Sequence, residues 1–350
     1  MHRIQRDPER FGPLELADCI GTARNIDLAQ VGNVISFPDL LGAAQADERL
    51  LHGKRVENMF EYVVASLGNA VIIKREDAGE ISSLNARIQP PDYRVVLKDG
   101  SEYLIEVKNC HIERFDQAFS MSRKYLDRLL AYADLFQRPL LLAIYWSRLR
   151  MWTVVKPQEV LTRRGAIQLK FADAMLHNWS AVLGDLMLST IPPLTCRVWA
   201  DRSMPRALQP DSTVRFVISA ITFYAAGNEI ITEEEKLWAW YFMLHSRWTE
   251  TKAEPVLTDG QLEYIEYELM PHDETPEHEF QHLGTLSGMV SSYYNFLTVS
   301  SEGKVARLTP SIGPAELSLG LRERFYGDVL KLWMFQVWPK SKPETELADA

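Results

Sequence analysis

PDYRVVLKDGSEYLIEVKN, residues 91–109, decides the fold. Two β-prone runs, 92–97 and 102–109, flank Lys98-Asp99-Gly100-Ser101, and Asp-Gly between apolar runs is a strong hairpin signal. Side chains alternate along a strand, so Tyr103, Ile105 and Val107 share one face while Leu104, Glu106 and Lys108 share the other. The antiparallel return brings Asp92, which opens the first run, toward Glu106. Two convergent carboxylates with nearby backbone carbonyls form an oxygen-rich site suited to Mg²⁺. A neighbouring lysine orients or helps deprotonate an attacking water, or stabilises charge developing on a phosphate. Those are the parts that phosphodiester hydrolysis needs.

Working outward, Val56, Phe60, Val63, Val64 and Leu67 lie on one helical stripe that Gly68 stops, predicting a helix over 50–67. Residues 70–75 are a short β-prone run. Downstream, Phe119, Leu126, Leu129, Leu130, Ala133 and Phe136 repeat with helical period, predicting a helix over 115–137 that ends before Pro139. PLLLAIYW, 139–146, reads as a fully buried strand and 151–155 as its neighbour. The order αβββαβ makes an α/β (α+β) core within residues 50–157. Residues 1–49 read as an N-terminal arm or lead-in subdomain, and 158–350 as a mixed, largely helical C-terminal domain. There the pattern predicts a helix over 171–188, an extended run at 194–199, an apolar run of either type at 214–225, and a strand at 263–270. Thr232 and Glu235 form a capping box for a Trp-rich helix. Thr275-Pro276 is a further helix start, followed by a second helix and a hairpin at 295–308, the outline of a winged-helix-like unit.

The chain has 350 residues and a net charge of −9. The charge is uneven: residues 1–200 carry 25 Lys and Arg against 24 Asp and Glu, and residues 201–350 carry 13 against 23. The acidic half is therefore a poor host for a broad phosphate-binding face and a better one for a protein partner or a regulatory role. Cys19, Cys110 and Cys196 are odd in number, far apart and without a CxxC pair, which argues against a disulfide framework or a thiolate zinc site. No run of 18 apolar residues and no signal-like apolar segment at the start is present, so the expectation is a cytoplasmic protein with no membrane association.

Pro91-Asp92 followed by Glu106-Val107-Lys108 resembles the PD-(D/E)xK motif of the restriction-endonuclease-like nucleases. The pattern is most similar to the archaeal Holliday-junction-resolvase branch, in which a glutamate on the first helix joins the site. The matching residue is Glu57 in GKRVENMF, with Glu61 one turn later as the alternative. The resemblance spans about residues 50–155 and implies an endonuclease that uses Mg²⁺ or Mn²⁺. Asp92, Glu106 and Glu57 would be its metal ligands and Lys108 its catalytic lysine. It also implies nucleic acid as substrate, DNA ahead of RNA, and a homodimer, because cutting two strands with one site per chain calls for pairing. Defence against phage is the biological setting it suggests. Lys124 and Arg128, one turn apart on the following helix, are candidate contacts to the nucleic-acid backbone.

Two other classes stay open. A catalytically silent nucleic-acid-binding or scaffold protein would keep the fold without turnover. His278-Glu279-Phe280-Gln281-His282 spells HExxH, which on a helix holds zinc with two histidines and uses the glutamate as general base. Its surroundings are acidic and polar, Thr275-Pro276 places His278 on an exposed first turn, and no third histidine follows at metzincin spacing. A charged helix start is the favoured reading of the pattern, with a zinc metalloprotease as the lesser alternative.

Overall fold

The structure is a computed structural model that describes residues 46–76, 87–114, 116–272, 279–317, 325 and 327–339. The N-terminal arm up to residue 45 and the tail from residue 340 lie outside the described residues. The first half runs α1 (Glu48–Leu67), β1 (Ala70–Arg75), β2 (Tyr93–Leu97), β3 (Glu102–Cys110), β4 (Ala118–Met121), α2 (Arg123–Phe136), β5 (Leu140–Trp146) and β6 (Met151–Val155). β1, β2, β3, β5 and β6 form one sheet in the order β1-β2-β3-β5-β6, parallel between β3 and β5 and antiparallel elsewhere. The β2–β3 hairpin turns at Asp99-Gly100. Gly100 has φ 84°, a left-handed conformation that costs a glycine nothing.

The sheet is covered on both faces. α1 is capped by Asp47, whose side chain accepts from the Leu50 amide at 3.0 Å, and stops at Gly68 with φ 75°. Its Phe60 and Val64 pack with Tyr93, Val95, Ile105, Val107, Leu141 and Ala143 on one face. α2, capped by Ser122, places Leu126, Leu129 and Ala133 against Leu104, Leu140, Leu142 and Ile144 on the other. β5 is buried along its whole length, as the unbroken apolar run requires. Each large side chain fully buried this way contributes about 1.5–3 kcal/mol.

The second half differs from the expectation of a largely helical unit. It contains β7 (Ile167–Lys170), α3 (Phe171–Leu176), β8 (Met187–Thr190), β9 (Leu194–Ala200), β10 (Ile218–Ala225), β11 (Asn228–Ile230) and α4 (Glu233–His245). β12 (Thr249–Thr258), β13 (Gln261–Met270), β14 (Gln281–Thr285), α5 (Leu286–Thr298) and β15 (Leu332–Phe335) follow. β11-β10-β9-β13-β12 make an antiparallel sheet, and β14-β8-β15 a smaller one. The helix expected over 171–188 ends at Leu176, after which residues 180–183 form a 3-10 turn and β8 begins. The helix expected from Thr275-Pro276 falls partly outside the described residues, and where the chain resumes it forms β14, so no winged helix is built. α5 runs through Thr298, leaving only the Val299–Val305 bridge of the expected hairpin.

The helix expected over 115–137 also starts late. Phe119 and Met121 alternate into the core from β4, which pairs with β7 some 46 residues further on, as in Met121↔Ile167. That partner is invisible to a local periodicity, and Ser122 caps the helix only afterwards.

α1 has a second packed face. Tyr62 meets Tyr294 of α5 with ring centroids 5.1 Å apart, and Arg55 donates to Asn295 Oδ1 at 2.6 Å. Trp152 of β6 donates to Ser291 Oγ at 2.8 Å. One hydrophobic cluster thus runs from the first sheet through α1 to α5, α4 and the second sheet. Among the described residues no helix is long and apolar enough to cross a membrane.

Candidate active site

Tyr93 pairs with Ile105, so one step further along the hairpin Asp92 stands across from Glu106. Both point to the face that α2 covers. Asp92 Oδ2 accepts the Val107 amide at 2.6 Å, which ties the carboxylate to the partner strand. Glu106 is 1% exposed. Its Oε1 is paired with Lys108 Nζ and also accepts from Tyr125 OH at 2.6 Å. The Tyr125 ring lies 5.3 Å from Lys108 Nζ and 5.5 Å from the Arg128 guanidinium.

Burial, and after it the negative charge of Glu106, pushes the Asp92 carboxyl up to about 7, with Lys108 and the Val107 amide opposing the rise. Lys108 moves the other way. Burial works against its charge, but Glu106 and Asp92 outweigh burial and hold the ammonium protonated far above neutral pH. It therefore acts as a fixed cation. A buried and a half-buried carboxylate whose charges repel, beside a lysine that neutralises one of them, leave an excess of negative charge that a divalent cation fits. Mg²⁺ is commonly held by one or two carboxylates plus waters and substrate phosphate.

Glu57 is placed on α1, at the sheet's opposite face. Its side chain accepts from Lys54 Nζ at 2.7 Å, and its backbone carbonyl accepts from Tyr93 OH at 2.9 Å. Its charge is near enough to add, as the smallest cause named, to the rise at Asp92. Among the described residues no three His, Cys, Asp or Glu side chains converge as a metal cage. The structure thus brings Asp92, Glu106 and Lys108 together and leaves Glu57 standing off. Glu61 pairs with Arg75 at 3.5 Å. Lys124 is exposed on the first turn of α2, whereas Arg128 is partly buried against Tyr125.

Two features were not foreseen. Tyr125 is the first; its only sequence signal is an aromatic residue in an otherwise basic first helical turn. The second is Glu76, whose amide donates to the Asp92 carbonyl at 2.9 Å. Its Oε1 accepts from Arg94 at 2.7 Å and Tyr132 OH at 2.8 Å. Burial opposes its ionisation, but those bonds and the charges of Lys74 and Arg94 outweigh burial and lower its pKa.

The HExxH residues do not form a helical zinc site. His278 lies outside the described residues, Glu279 is in irregular chain, and His282 belongs to β14, paired with Ser189 of β8. His282 is thus in extended chain rather than on a helical turn, and HExxH holds zinc in the way the motif implies only on a helix. Cys110 and Cys196 are free and buried.

No family model matches the chain, and no curated protein matches it. Among solved structures it is similar to a Holliday junction resolvase from the archaeal hyperthermophile Archaeoglobus fulgidus. The identity is 20%, the match covers 38% of this chain and 100% of that one, and the TM-score is 0.30. The likeness is coarse; the chemistry of the site stands on its own geometry.

Proposed function

We propose that the protein is a metal-dependent endonuclease that hydrolyses phosphodiester bonds, in DNA ahead of RNA. The observation that carries this is the opposed pair Asp92 and Glu106, with Glu106 buried and Asp92 and Lys108 half-buried beside it, so that the Asp92 carboxyl is driven well above its ordinary range. Asp92 and Glu106 would hold Mg²⁺ or Mn²⁺, and Glu57, which stands off in this structure, would join them only by leaving its pair with Lys54. The bound cation would supply Lewis-acid stabilisation of the phosphate's charge and a lowered pKa for an attacking water. Lys108, kept cationic, holds that water or offsets the charge gathering on the phosphate. Tyr125 fixes the Glu106 carboxylate in place.

Residues 158–350 are proposed as a partner-binding or regulatory part, supported by their acidity. A homodimer follows from the need to cut two strands with one site per chain. A cytoplasmic role in defence against phage DNA is the setting we propose. The test is cleavage of supercoiled plasmid, four-way junctions and single-stranded DNA and RNA with Mg²⁺, Mn²⁺ or EDTA. Metal-dependent cutting that disappears in Asp92→Ala and Lys108→Ala is the expected result. No cutting, together with no metal binding by the wild-type protein, overturns the proposal.

A further inference from the structure

Between residues 118 and 170 the chain carries ten Lys and Arg against three Asp and Glu, although the whole protein has a net charge of −9. This segment holds α2, two strands of the first sheet (β5 and β6) and the separate β4–β7 ribbon. Its tip is a tight turn in which the Gly165 amide donates to the Thr162 carbonyl at 2.8 Å and the Thr162 amide donates to Ala166 at 2.8 Å. Gly165 takes φ 73°, which closes a type I turn with a bulge and puts Arg163 and Arg164 at its two outer corners. Both are exposed, and neither makes an ion pair among the described residues.

The ribbon register fixes where this turn goes. Met121 pairs with Ile167, so the turn lies beside the start of α2. There the Arg123 side chain packs over Gly165, with Cδ 3.1 Å from where a Cβ would stand. Arg123 and Lys124 share their helical turn with Tyr125, whose hydroxyl is bonded to Glu106. Among the described residues, Asp127, 3.4 Å from Arg123, is the carboxylate paired with these cations. Four like charges at one surface repel one another, and two of them also oppose the helix dipole, so an anionic partner would be bound there favourably.

We propose that Arg163 and Arg164, together with Arg123 and Lys124, form a clamp for the phosphate backbone of a nucleic acid whose strand enters the Asp92/Glu106/Lys108 site. This rests on the nuclease proposal and adds to it the path of the substrate. A nucleic acid is favoured over an acidic protein or an anionic membrane because the cations are continuous, through Tyr125, with a site built for phosphodiester chemistry.

The test measures binding rather than cutting. Full-length protein in EDTA is titrated by fluorescence polarisation against a labelled duplex of about 30 base pairs across a range of salt concentrations. Arg163→Gln/Arg164→Gln is compared with the wild type and with Arg202→Gln/Arg215→Gln, which removes equal charge from exposed positions in the acidic half. Thermal melts confirm that all three are folded. The turn variant is expected to bind about tenfold more weakly, with a log–log salt slope shallower by about 1–2, because each lost phosphate contact removes about 0.9 from the slope. The control pair is expected to match the wild type. Equal binding by turn variant and wild type, or equal weakening in both variants, overturns the clamp while leaving the nuclease proposal standing. Wild-type protein that ignores nucleic acid yet binds anionic vesicles or polyglutamate through these arginines overturns both.

Discussion

Asp92→Asn is expected to make the metal-free protein more stable at neutral pH while abolishing the proposed cleavage. Asparagine keeps the shape and an oxygen able to accept the Val107 amide bond, but it removes a charge that burial and Glu106 both disfavour. In the unfolded chain Asp92 releases its proton near 3.8, and in the native state near 7. Between these values the native state retains a proton that the unfolded state has lost. Wild-type stability therefore falls as pH rises through this window and levels off above it. The full difference sets a ceiling of about 4 kcal/mol, and relaxation with entry of water reduces the expected effect to about 1–3 kcal/mol. Urea denaturation in EDTA at a series of pH values measures it. The gap between Asp92→Asn and wild type should widen from about pH 4 to about pH 7 and then stay constant. Adding Mg²⁺ at about ten times its Kd should return about 1.4 kcal/mol to the wild type and nothing to the variant. Parallel stability curves for the two proteins would refute the argument that Asp92 and Glu106 repel each other in a buried site.

Tyr125→Phe removes the hydroxyl donor to Glu106 and should cost about 1–2 kcal/mol in urea denaturation; unchanged stability would mean the bond contributes nothing. Glu235→Ala leaves the Val329 and Leu330 amides, each now 2.8 Å from its carboxylate, without an acceptor. A loss of about 2–4 kcal/mol and faster proteolysis around residues 327–339 are expected. Gly184 has φ 96°, and a Cβ there would sit 2.8 Å from the Leu67 carbonyl oxygen; Gly303 has φ 78° and open space around it. Gly184→Ala should therefore lower stability by about 2 kcal/mol or more and Gly303→Ala by about 1 kcal/mol, a difference that thermal melts resolve.

The part of the fold legible in the sequence is the part held by neighbours close along the chain. The 92–109 hairpin, with its Asp-Gly turn and strict alternation, needs no distant partner to declare its register. The α1 stripe, the apolar run of β5 and the Thr232 cap of α4 are similarly local. β4 is the opposite case: Ala118–Met121 continues the apolar spacing of the helix after it, and only pairing with β7 makes it a strand. His282 sits in a motif that local spacing assigns to a helix, yet its backbone is claimed by β8. Within the site, Asp92, Glu106 and Lys108 follow from strand alternation, whereas the bond from Tyr125 depends on how α2 crosses the sheet. Glu57 shows the limit of a helical stripe, which places a residue on a face without saying how far its carboxylate reaches.

α1 offers no broad face to water. Phe60 and Val64 belong to the sheet, while Arg55, Tyr62 and Ser66 reach Thr298, the Ile312 carbonyl and the Pro314 carbonyl. The same helix receives the Tyr93 hydroxyl one residue away from Asp92. α1 therefore touches α5 on one side and, on the other, the residue next to Asp92. The first half is not a detachable cassette: a chain ending after β6 would expose the stripe of α1 that packs on the second half. Substitutions in α1 must satisfy two partners at once.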